Sequence, residues 1–145
     1  MSNKGLPGVS GEKGVKVGFV ASCFDLLHAG HCLMLKDAKE QCDYLIAALQ
    51  TTPAKDRPSK NIPVQSFKER MIQLESVKYV DEILTYETER DLLFLLKKIN
   101  PNVRVLGSDY LGKDFTGKNL KIPIFYHVRK HEWSTSELRK RIKNA

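Results

Sequence analysis

The stretch 17–31, VGFVASCFDLLHAGH, changes its hydrophobic period once, and that change constrains the fold more than any other feature. As far as Ala21 it is almost continuously apolar, as a strand buried on both faces requires. Beyond it, Leu26, Leu27, Cys32, Leu33 and Leu35 recur at helical spacing, which predicts a helix starting near His28. A buried strand running into a helix N-terminus gathers unpaired backbone N–H groups and the positive end of the helix dipole at one point. Phosphate binds readily at such a point. His28 and His31 project from one side of the first turn, and Gly30 between them lets a ligand approach the backbone. A zinc site is the rival reading, since Cys23 and Cys32 are near in sequence. However, neither a Cys-x-x-Cys pair nor two well-spaced ligand pairs is present, and phosphate binding is preferred.

The remaining chain repeats this alternation. Val15 to Ala21 is read as the first strand, and Leu33, Leu35 and Ala38 as the inward stripe of the first helix. Tyr44 to Leu49 gives a second buried strand, and hence a right-handed βαβ unit. A proline-rich basic loop over 51–63 follows, at the strand end where open α/β sheets bind ligands. Ser66 with Glu69, Thr88 with Asp91, and Ser134 with Glu137 have the spacing of helix-opening capping boxes. Arg70, on the first of these helices, is read as either a ligand contact or a structural arginine. Strands are expected at Val80 to Leu84, Val103 to Leu106 and Ile122 to Val128, with a polar loop over 111–121. The expected fold is α/β, a single Rossmann-like, doubly wound parallel sheet of five strands over 15–145, preceded by a disordered tail over 1–14.

The residues Phe24-Asp25-Leu26-Leu27-His28-Ala29-Gly30-His31 resemble the opening motif of the HxGH nucleotidyltransferase superfamily. The nearest branch is that of the cytidylyltransferases, glycerol-3-phosphate cytidylyltransferase among them. Ser22 stands where that motif usually has glycine. Gly107-Ser108-Asp109-Tyr110 resembles the branch's Gly-Asp-Asp-Trp segment. Arg129, Ser134 and Thr135 match its C-terminal Arg-Thr-x-Gly-Ile-Ser-Thr-Thr signature, with Glu132 replacing the glycine and Trp133 the isoleucine. The resemblance spans about 15–142.

It implies transfer of a cytidylyl group from CTP to a small phosphorylated alcohol with release of pyrophosphate; ATP is the alternative nucleotide. His28, His31, Lys60 and Arg129 are the implied catalytic residues. Cys23, Phe24, Gly30, Asp109, Arg129, Ser134 and Thr135 would hold the nucleotide. Glycerol-phosphate enzymes hold their acceptor with two lysines, and Pro58 and Leu92 fall at those places here. Arg57 or Arg90 is therefore expected to compensate in holding the acceptor, which makes a different polyol, sugar or amino-alcohol phosphate the favoured substrate; Asp25 is the nearest carboxylate for the acceptor or the metal, with capping of the first helix as its alternative role. Mg2+ is expected to ride on the nucleotide phosphates rather than in a dedicated protein site, and the chain to form a homodimer.

Composition sets the outer limits. The net charge of +7 suits a phosphorylated partner or a basic surface. Nucleic acid is not expected, because exposed aromatics do not alternate with the basic residues. A catalytically silent nucleotide sensor is the other rival. Three cysteines in or beside apolar segments read as reduced thiols, and no membrane-length run or secretory signal is evident, so a cytoplasmic protein is expected.

Overall fold

The computed structural model describes residues 2–3, 14–53 and 62–145. Its strands are β1 (Ser2–Asn3), β2 (Val17–Ser22), β3 (Tyr44–Gln50), β4 (Glu82–Tyr86), β5 (Val103–Gly107) and β6 (Ile124–His127). The helices are α1 (Ala29–Glu40), α2 (Phe67–Glu75), α3 (Glu89–Ile99) and α4 (Thr135–Lys143). The sheet order is β1-β4-β3-β2-β5-β6. β2 to β6 are all parallel, which is the Rossmann-like α/β sheet expected from the sequence. β1, inside the segment read as a tail, pairs antiparallel with β4 at Ile83 and Glu82.

Position in the sheet follows from apolar content. Every residue of β3 is buried, as an inner parallel strand demands. Leu35 and Ala38 of α1 and Leu74 of α2 pack with Val20, Leu45 and Leu49 on one face. Leu92 and Leu96 of α3 pack with Phe19, Tyr44 and Ile46 on the other. Leu33 does not join them. It is 40% exposed, because a helix turns about 200° over two residues and so carries Leu33 away from Leu35.

The capping signals locate the helices well. Ser66 and Glu69, and likewise Thr88 and Asp91, exchange side-chain and backbone hydrogen bonds. Ser134 accepts from the Glu137 N–H at 3.1 Å. The strand expected from Val80 starts two residues later, at Glu82. Val80 is buried, but its N–H closes a turn onto Val77, while Asp81 uses its own N–H and its carboxylate to anchor Leu45.

The strand order reverses between β2 and β5. These two strands pair only at Gly18–Val103 and Phe19–Arg104 and have no ladder pairs beyond, so their carboxyl halves leave a crevice at the topological switch point.

Candidate active site

The turn between β2 and α1 is strained and heavily braced. Phe24 and Leu26 both have φ of 50°, a left-handed conformation unusual for their side chains. The Phe24 N–H donates to Ser22 Oγ at 3.2 Å, so the serine that replaces the usual glycine supports this turn. The Leu26 N–H donates to Gln65 Oε1 at 2.9 Å. Asp25 is buried, and both its oxygens are engaged: Oδ2 by Val64 N–H at 2.8 Å and Arg139 Nη2 at 3.1 Å, Oδ1 by Gln65 N–H at 2.9 Å. Its carboxylate thus joins the β2–α1 turn, the segment before α2, and α4.

The two motif histidines cap α1. Gly30 N–H donates to His28 Nδ1 at 3.0 Å, and His28 N–H donates to His31 Nδ1 at 3.2 Å. A backbone amide can only donate, so each Nδ1 is an acceptor and each neutral ring carries its proton on Nε2. Environment reinforces that state. Burial, with His28 adding repulsion, lowers the His31 pKa to about 3 despite an opposing pull from Asp25. Burial also lowers that of His28, with further contributions from His131 and Arg129. The site therefore holds two neutral N–H donors with ring centroids 4.0 Å apart.

One cleft of about 350 Å3 collects the sequence-predicted residues His28, Gly30, His31, Asp109, Arg129, Ser134 and Thr135. Thr135, the first residue of α4, places Oγ1 3.3 Å from His28 Nε2. Gly30 is needed for this closeness: a Cβ there would stand 2.9 Å from the Trp133 carbonyl oxygen. Phe24 lies beneath, buried, with its ring 5.6 Å from that of His31. Cys23 instead faces Arg70, which donates to its carbonyl at 3.0 Å. Arg90 is exposed at the start of α3 and is absent from the cleft lining. Lys60 and Arg57 lie outside the described residues.

Arg70 proves to be structural. It is 2% exposed and donates to the carbonyls of Cys23, Gln50, Thr51 and Gln65. His127 and His131 were not singled out from the sequence, yet both line the cleft. His127 Nδ1 is 2.8 Å from Asp37 Oδ2, and His131 stacks on Trp133 with centroids 4.8 Å apart. The available signal was that all four histidines fall within 28–31 and 127–131.

Residues 19–142 match the family described as cytidylyltransferase-like. The chain belongs to the cytidylyltransferase-like family. Its relatives include the bifunctional protein HldE of Campylobacter curvus, 36% identical over 140 residues, or 93% of this chain and 28% of the relative. HldE of Caulobacter vibrioides is 37% identical over 111 residues, 74% of this chain and 22% of the relative. The chain thus spans about a quarter of the length of these relatives. Among solved structures, the lipopolysaccharide core biosynthesis protein from Thermoplasma volcanium superposes with a TM-score of 0.64 at 23% identity, over 83% of this chain and all of that one. Pantoate-beta-alanine ligase from Francisella tularensis gives 0.60 at 17% identity, over 93% and 72%. These two establish shared fold alone. For a cytidylyltransferase-like chain, the paired histidines and the α4 N-terminus form a cradle of neutral and polar donors suited to polyphosphate.

Proposed function

We propose that this chain is a nucleotidyltransferase acting on a nucleoside triphosphate and a small phosphorylated alcohol, with ATP as the nucleotide. The observation that carries the reading is the convergence of His28, His31, Arg129, Ser134 and Thr135 on one cleft. A phosphate oxygen of the acceptor attacks the α-phosphorus. The bond from that phosphorus to the bridging oxygen breaks, and pyrophosphate leaves with the electron pair. The nucleophile is already anionic, so positioning and charge stabilisation suffice. His28 and His31 donate from Nε2 as charge grows on the phosphoryl oxygens. Arg129 and Lys60 neutralise the leaving pyrophosphate, and Ser134 and Thr135 orient it. Magnesium is proposed to arrive on the triphosphate with its own waters, as its reluctance to dehydrate favours. A homodimer, testable by light scattering, remains part of the proposal.

ATP is preferred because Trp133 lines the cleft half-exposed, braced by His131 stacked against it at 26°, and an indole ring suits stacking on a purine. CTP is the second reading, favoured by the description of the family and by the segment after β5 that carries Asp109. Calorimetric titration of the chain with each nucleotide, in magnesium, separates the two. Tighter binding of CTP would reverse the assignment.

A further inference from the structure

No residue of α4 is buried, yet its first residue, Thr135, reaches His28. Arg139 follows four positions later, on the same face of the helix. Its Nη2 donates to Asp25 Oδ2 at 3.1 Å and to the Ile62 carbonyl at 2.8 Å. Of the four cations on α4, Arg139 alone has an ion-pair partner among the described residues. The Asp25 side chain is 7% exposed and that of Arg139 32%, so the pair is partly withdrawn from water. A charge-assisted bond in that position holds a side chain more firmly than one at the open surface. Asp25 also accepts from the Val64 and Gln65 N–H groups, and those two bonds join the β2–α1 turn to the segment before α2 without help from α4. The guanidinium is therefore dispensable to the turn but not to the placement of the helix.

We propose that Arg139 is a positioning residue for the triphosphate: by clamping α4 to Asp25 and Ile62, it fixes Ser134 and Thr135 opposite His28. This deepens the proposed function and rests on it in one respect, that the cleft takes a nucleoside triphosphate. Arg139 is absent from the cleft lining, so its effect travels through the helix. A helix held at one point swings about that point. A second tie four residues on, about 6 Å along the axis, prevents the swing. Trp133 keeps its place independently, stacked on His131 and donating its N–H to His131 Nδ1 at 3.0 Å. Loss of the clamp therefore falls on the polyphosphate end of the nucleotide and spares the end that meets Trp133.

Calorimetric titration with ATP or CTP, whichever binds tighter, and with the corresponding monophosphate tests this, beside steady-state pyrophosphate release. Arg139→Met should weaken triphosphate binding at least about tenfold, the scale of one charge-assisted hydrogen bond, while monophosphate binding and the acceptor KM stay within about twofold. The melting temperature should change little, because the Asp25 bonds to Val64 and Gln65 persist. Arg139→Lys keeps the charge and loses the planar fork, so its triphosphate affinity should fall between the two. That variant carries the test alone if Arg139→Met does not fold. Equal losses for triphosphate and monophosphate, an unchanged triphosphate affinity, or a rise confined to the acceptor KM would overturn the proposal. A triphosphate that binds but is transferred to no acceptor would remove the nucleotidyl-transfer reading, while the calorimetry still decides the role of Arg139. Failure of the unaltered protein to bind either triphosphate would remove both.

Discussion

His28 Nε2 lies 3.3 Å from Thr135 Oγ1 across 107 residues of chain, and this contact brings the N-termini of α1 and α4 together. Because Gly30 N–H occupies Nδ1, the proton faces the cleft from Nε2. The same ring thus caps a helix with one nitrogen and offers a donor with the other.

These two duties can be separated. His28→Asn retains an oxygen for the Gly30 N–H but removes the Nε2–H donor. Turnover should fall by roughly two to three powers of ten, the scale of one lost transition-state donor. The melting temperature should barely move. His28→Ala should lose a similar amount of activity and also about 1 kcal/mol of stability with the cap. Equal melting curves for the two variants would show that the cap contributes nothing.

Stability should fall on acidification through the histidine range. The unfolded chain binds a proton on His31 below about pH 6.5, whereas the folded state resists it until about pH 3. Between those limits the unfolded state holds more protons, so the free energy of unfolding rises with pH, by at most about 1.4 kcal/mol per pH unit for one group. His28 acts in the same direction. Above pH 6.5 both rings are neutral in either state and the effect vanishes. Urea midpoints at pH 7.5 and pH 5, for the protein and for His31→Gln, provide the check; the variant should show the shallower dependence.

Arg70→Met should destabilise without touching the cleft. It would leave the carbonyls of Cys23, Gln50, Thr51 and Gln65 without their shared donor. A loss of roughly 3 kcal/mol or more is expected from urea unfolding. Arg70→Lys, with fewer donors, should recover only part of it.

Gly30→Ala should weaken nucleotide binding more than it harms folding. The added methyl would stand 2.9 Å from both the Trp133 carbonyl oxygen and His28 Cε1. The approach to α4 must shift to relieve this, and misplaced donors typically cost about tenfold to a hundredfold in rate or affinity. Calorimetry beside a thermal melt distinguishes the two effects.

The sequence conveyed the parallel sheet, because buried strands alternate with capped amphipathic helices. It also conveyed the His28–His31 end of the cleft, because local spacing determines local geometry. It did not reveal the duty of Asp25, whose partners Val64, Gln65 and Arg139 lie 39 to 114 residues away. Arg70 left two readings open for the same reason, since its carbonyl partners come from three separate stretches of the chain.

α4 carries Ser134 and Thr135 into the cleft but buries none of its own residues. Its side-chain ties to the remaining fold include Arg139 with Asp25 and the Ile62 carbonyl, and Thr135 with His28. Such a helix opens locally at far lower free energy than the sheet unfolds, and its amides should exchange with solvent well before those of α1. A preparation can therefore melt normally while a fraction of its molecules lack half the phosphate cradle. Heat resistance and catalytic competence are consequently separate properties of this chain, and bound triphosphate should protect α4 most of all.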